Sequence, residues 1–227
     1  WSSLANSFKY AILAVPTSLI LALLIAVLLS RESKPSNFFQ IVFFFPSIAT
    51  GAAVFTVARY LLRGEGGLIN YFLSLLGIKG PFWLTDAKWA MISLVIVNLL
   101  FCGQQMLIFL AGIKQIPASY YEAAKMDGAN DIACFFRITL PLISNVFVFN
   151  LIMGIISALQ VYVQPLIMTG GGPLKKTYMY GMYIYDSGFS FGRFGYAAAL
   201  AWVMYLVILF ISKVILGSME KLMNYEE

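Results

Sequence analysis

Five runs of about twenty apolar residues govern what this chain can fold into. Each is long enough, at about 1.5 Å of helical rise per residue, to cross the roughly 30 Å hydrocarbon core of a bilayer. They extend from Tyr10 to Leu29, Ile41 to Leu62, Trp89 to Leu110, Ile143 to Met168 and Tyr196 to Leu216. Lipid offers no partner to a bare N–H or C=O, so each run is expected to be helical. Composition agrees: of 227 residues, 61% are hydrophobic and only 11% charged, too few polar side chains to coat a water-soluble globule. A soluble enzyme, a disordered chain and a disulfide scaffold are excluded together. The net charge of +5 comes from cations scattered along the chain. A nucleic-acid backbone needs a clustered basic stripe, so lipid, and not nucleic acid, is the expected partner.

The chain has no His. Cys102 falls inside an apolar run and Cys134 in a polar connection, so both read as free thiols, and no metal site is expected. Without these groups no catalytic residue is expected either. The first run is too long for a cleavable leader, and no small-residue cleavage pattern precedes Ser30-Arg31-Glu32. Lys and Arg are spread almost evenly over the two sides of an alternating topology, so charge does not orient the chain. It begins at Trp1, and five spans put its ends on opposite faces, so a further upstream segment is expected.

Two connections are long and patterned. Leu62 to Lys88 holds Gly64, Gly66, Gly67 and Pro81-Phe82-Trp83-Leu84, whereas Thr169 to Gly195 holds Gly170-Gly171-Gly172-Pro173. Both read as interfacial loops with short amphipathic helices. The triple glycine is not a phosphate loop, because Lys175-Lys176-Thr177 lacks the Gly that must precede the Lys. A helix stop made of Gly and Pro suffices.

The connection from Gly112 to Pro141 is too polar for lipid and too regular for a slack loop. Pro117 can open a helix whose apolar or small face is Ile116, Tyr120, Ala123 and Ala124. Gly128 supplies a left-handed stop. Asn130 or Asp131 caps a second helix faced by Ile132, Phe135 and Phe136, and Pro141 ends it. The product is a bent helical pair beside the membrane, with Glu122, Lys125 and Asp127 turned outward. Ser119-x-x-Glu122 is also a capping-box spacing, so Glu122 has a purely local alternative role.

Glu122-Ala123-Ala124, Asp127-Gly128-Ala129 and Ile138-Thr139-Leu140-Pro141 together resemble the EAA loop of permease subunits of bacterial binding-protein-dependent ABC importers. Gly67-Leu68-Ile69-Asn70, Trp83-Leu84-Thr85-Asp86, Thr169-Gly170-Gly171-Gly172-Pro173 and Gly195-Tyr196-Ala197-Ala198-Ala199 extend the likeness to the sugar-importer branch, relatives of the maltose and glycerol-phosphate permeases. The resemblance implies an all-α, multi-pass protein of the bacterial inner membrane with the type I importer permease fold. One transmembrane domain then spans 1–227, with the coupling loop at about 113–141. It further implies a cytoplasmic EAA loop, Trp1 outside and Glu227 inside. Its partners are a second homologous permease, two ATPase subunits that use ATP and Mg, and an external solute-binding protein. This chain itself binds no cofactor. Glu122, Ala123, Ala124, Lys125, Asp127 and Gly128 are the implied ATPase-coupling residues.

Within the spans the polar groups are mostly neutral, and Arg59 and Lys213 lie near span ends, from which they can snorkel. Asn98 and Gln105 share a face with Gln104 beside them. Asn150, Gly154, Ser157 and Gln164 fall on another stripe, flanked by Gln160, with Tyr162 nearby. Amides donate and accept without needing a counter-ion, which suits an uncharged hydroxylated cargo such as a sugar. The same residues also serve plain helix packing. Few buried cations count against anionic cargo. The competing readings are an importer permease for amino acids, peptides or phosphate esters, and a non-transporting membrane scaffold. An intramembrane enzyme lacks paired carboxylates, a Ser–Lys pair or metal ligands in the spans.

Overall fold

The computed structural model describes residues 1–30 and 34–223; Arg31, Glu32 and Glu227, used above to end the first span and to orient the chain, lie outside the described residues. The described residues form helices and turns, with no strand among them. Helix α1 (Ser2–Ser30) contains the first apolar run, and its 29 residues give a length of about 43 Å. Ser7, Ala11, Ala14, Ser18, Ala22 and Ala26 lie along its buried side, so neighbouring backbones approach closely. Pro16 sits inside this helix and removes one backbone donor; nearby, the Thr17 hydroxyl donates to Leu13 O at 2.7 Å.

Three of the five expected spans are bent. The second divides into α2 (Lys34–Ile48) and α3 (Gly51–Leu61), which meet at 97°. Pro46 removes a donor near the end of α2, and Thr50 is extended, so the ladder stops there. The third divides into α5 (Ala90–Asn98) and α6 (Gly103–Lys114), joined by a tight turn at Leu99–Phe101 and bent by 47°. A Cβ on Gly103 would collide with the Phe43 carbonyl, so glycine is what allows α6 to begin against α2. The fourth, α10 (Ser144–Leu159), stops early. Residues 160–162 unwind before α11 (Val163–Met168) turns back against α3. The last, α13 (Phe194–Met223), is one continuous apolar helix, largely uncovered as far as Ser218.

Helix α1 packs chiefly against α6 and α10, with α5, α2 and α12 (Tyr180–Tyr185) around it, and the core follows those contacts. On the face opposite the Gly112–Pro141 connection, the two patterned loops are locked by their own polar groups. Asn70, in α4 (Leu68–Leu75), donates to Gly64 O at 2.8 Å and Pro81 O at 3.1 Å, and its Oδ1 accepts from Trp83 Nε1 at 2.7 Å. Gly170 and Gly171 have φ of 60° and 83° beyond the end of α11, the expected helix stop. Asn6 then donates to Lys175 O at 2.8 Å, and Tyr180 N donates to Ser7 Oγ at 2.9 Å, tying this loop to α1. Tyr178 donates to Asp186 Oδ2 at 2.6 Å; burial and that bond keep its phenol above the ordinary range.

Candidate functional site

Helices α1, α5, α6 and α10 enclose a cavity of about 270 Å³. Its wall brings together Asn98, Gln104 and Gln105 with Asn150 and Ser157, residues that lie on separate helices. Gly154 makes room for them, since a Cβ there would sit 3.2 Å from both Gln105 Nε2 and Val15 Cγ1. Asn150 is fully buried, and its Nδ2 donates to Gln105 O at 3.4 Å. Asn150 Oδ1 and Gln105 Oε1 are buried with no hydrogen-bond partner among the described residues. Leaving such atoms unpaired costs about 1–3 kcal/mol each, so they mark where a donor from a ligand or water is wanted. No charged residue lines this chamber.

The remaining pathway candidates lie elsewhere. Gln160 and Tyr162 line a second recess of about 400 Å³ with Tyr185 and Tyr205. There Tyr162 stacks on Tyr185 with ring centres 5.7 Å apart. Gln164 lines neither recess. It is buried, accepts from Tyr10 Oη at 2.8 Å and donates to Leu94 O at 2.8 Å, so it clamps α11 to α1 and α5. The stripe expected from Asn150 through Gln164 assumed an unbroken helix; the unwound turn after Leu159 rotates Gln164 out of it.

The Gly112–Pro141 connection forms an elbow of two arms. Helix α7 (Ala118–Met126) follows Pro117, Gly128 has φ of 81°, and Ala129 N donates to Ala124 O at 2.9 Å to close the turn. Asn130, and not Asp131, caps α8 (Asp131–Cys134), its Oδ1 accepting from Ala133 N at 2.8 Å. The second arm does not end at Pro141: a π-helical turn at Phe135–Thr139 leads into α9 (Leu140–Leu142), and the chain bends by 70° only at Ile143. Tyr121 Oη and Thr139 Oγ1, 2.9 Å apart, join the two arms. Glu122, Ala123, Lys125 and Asp127 are exposed. No side chain caps the start of α7, so the capping-box alternative for Glu122 is not realised. The expected apolar faces are only partly covered. Phe135 packs on the core, whereas Tyr120, Ile132 and Phe136 are exposed, because the elbow projects from the bundle instead of lying within it.

Residues 2–225 match the family described as binding-protein-dependent transport system inner membrane component. The chain belongs to this family. It is 36% identical to the probable ABC transporter permease protein YesP of Bacillus subtilis (strain 168), over 100% of this chain and 74% of that protein. It is 33% identical to the sulfoquinovosyl glycerol transport system permease protein SmoG of Agrobacterium fabrum (strain C58 / ATCC 33970), over 95% and 70%. It is 31% identical to the lactose transport system permease protein LacF of Rhizobium radiobacter, over 93% and 73%. In fold it resembles a bacterial ABC transporter involved in the import of the acidic polysaccharide alginate, with a TM-score of 0.87 at 21% identity, over 97% of this chain and 78% of that one. A second structure of a bacterial alginate ABC transporter, in complex with a pentasaccharide-bound periplasmic protein, gives 0.85 at 22%, over 94% and 76%.

This permease is therefore an all-α inner-membrane component of a transporter. Among the described residues two helices are long and apolar enough to cross a membrane alone, and up to five spans result when each bent pair counts as one. Residue spacing did not find Tyr10, Ala14 and Ser18, the α1 wall of the chamber. Their signal was present: positions four apart on one face of the first apolar run. Both Cys102 and Cys134 are free and buried, as their separate settings imply.

Proposed function

We propose that this permease forms, with a second homologous permease, the passage for a sugar or oligosaccharide, and that two cytoplasmic ATPase subunits drive it through the elbow. The observation that carries the cargo class is the pair of orphaned amide oxygens, on Asn150 and Gln105, beside an uncharged chamber. Such acceptors suit hydroxyl donors and give no counter-charge to an ion. The chamber falls just below the roughly 300 Å³ at which small-molecule pockets begin. Gln104, Phe149, Met153 and Ser157 on its wall are exposed, so a second subunit is the natural source of the opposite wall. The cargoes named for the relatives SmoG and LacF are saccharides, which supports the same class.

The elbow's Glu122, Lys125 and Asp127 form the contact to the ATPase, Ala123 and Ala124 allow its close approach, and Gly128 sets the angle. A stiff element held between two bent spans transmits rigid-body motion that a slack loop would absorb. ATP and Mg belong to the ATPase, and an external solute-binding protein delivers the cargo. The test is uptake by the assembled transporter in proteoliposomes. Asn150→Leu should lower saccharide uptake about tenfold while the ATPase still co-purifies. Unchanged uptake in both Asn150→Leu and Gln105→Leu would overturn the chamber's role.

A further inference from the structure

On the face opposite the elbow, α3 carries Thr56, Arg59 and Tyr60, and Arg63 follows just past its C-cap Leu62; all four line one recess of about 580 Å³ closed on the other side by Thr85 and the end of α11. No carboxylate lines it, and neither arginine makes an ion pair among the described residues. Arg59 Nη1 donates to Ile167 O at 3.2 Å, which steadies one guanidinium and leaves its other donors free. The Thr56 hydroxyl is engaged with Ala52 O at 2.8 Å, and Thr169 donates to Pro165 O at 2.9 Å; Thr85 and Tyr60 keep their hydroxyl protons available. A helix C-terminus and snorkelling each account for one cation near a span end. Neither accounts for two guanidiniums, four residues apart in sequence, lining one recess with no carboxylate in its wall. Planar forked donors of this kind match an oxyanion.

We propose that the Arg59–Arg63 recess is a binding site for an oxyanion: a carboxylate, sulfonate or phosphate group presented on the face opposite the elbow. Its source is an acidic substituent on a saccharide or the phosphate of a lipid headgroup. Only the first source rests on the saccharide reading above. The site itself is separate from the amide chamber, with which it shares no lining residue.

The assembled transporter, without delivery protein, is placed in phosphatidylcholine nanodiscs and titrated with glucuronate and with glucose, following the fluorescence of Trp83, the neighbour in sequence of the lining residue Leu84. Glucuronate should bind at least tenfold more tightly than glucose. Arg59→Gln with Arg63→Gln should remove that preference, and Arg59→Lys, which keeps the charge but loses the fork, should fall between. A second arm measures phosphatidylglycerol retained from mixed membranes. Retention by the wild type that is lost in the double variant, with no glucuronate binding, assigns the site to lipid. The proposal is overturned if glucuronate and phosphatidylglycerol both fail to bind, or if both bind the double variant as they bind the wild type. Asn150→Leu separates the two readings: it should leave glucuronate binding at the recess intact while saccharide uptake falls.

Discussion

The elbow and the amide chamber are built in opposite ways. The elbow draws its shape from some twenty consecutive residues: Gly128 turns it, Asn130 caps it, and the Tyr121–Thr139 pair braces its arms. Its Glu122, Lys125 and Asp127 are exposed. The chamber has no local motif. It takes Tyr10 and Ser18 from α1, Asn98 from α5, Gln105 from α6 and Asn150 from α10, and two of its amide oxygens are buried without a partner among the described residues. A contact meant for another subunit can be written in one short rigid segment. A site for a solute needs groups converging from several sides, which a single helix cannot supply.

Variants of each region should therefore leave the other untouched. The largest effect is expected for Gly128→Val, since a β-branched residue at a left-handed φ costs about 1–3 kcal/mol. ATPase co-purification should fall well over tenfold while saccharide binding in the chamber persists; loss of both would break the contrast. Asn150→Leu should do the converse, cutting uptake about tenfold, in keeping with about 1–3 kcal/mol for a lost polar partner, with ATPase affinity unchanged. Gln164→Leu probes the clamp that holds α11. Interhelical hydrogen bonds in membranes average about 0.6 kcal/mol, so removing two should destabilise the bundle by about 1 kcal/mol, read as a melting temperature lower by a few degrees in detergent. The smallest effect is expected for Glu122→Gln, an exposed charge, with ATPase affinity reduced by up to about fivefold. Unchanged affinity there would remove Glu122 from the interface.

Much of the fold is legible in the sequence, because hydrocarbon imposes one rule on every residue it surrounds: apolar side chains and an internally bonded backbone. That rule locates the five runs but says nothing of bends, which depend on neighbouring helices meeting the freed backbone groups. Gly103 shows why: nothing local reveals that it lies against the Phe43 carbonyl. The Gly67–Asn70 and Trp83–Asp86 segments were legible as separate patterns, yet that Asn70 bonds Trp83 is visible only in space. The break after Leu159 moved Gln164 from an expected pathway role to a structural one for the same reason.

By itself the sequence determined that the chain is helical and lipid-embedded, and that one connection is a sharply turned elbow with outward charges. Each of these follows from side-chain properties read over a few turns. The tertiary structure alone decided which amides meet and which are tied up in clamps. It also decided that two arginines share one recess. Those outcomes depend on distances between helices far apart in the chain, and no local periodicity encodes a distance.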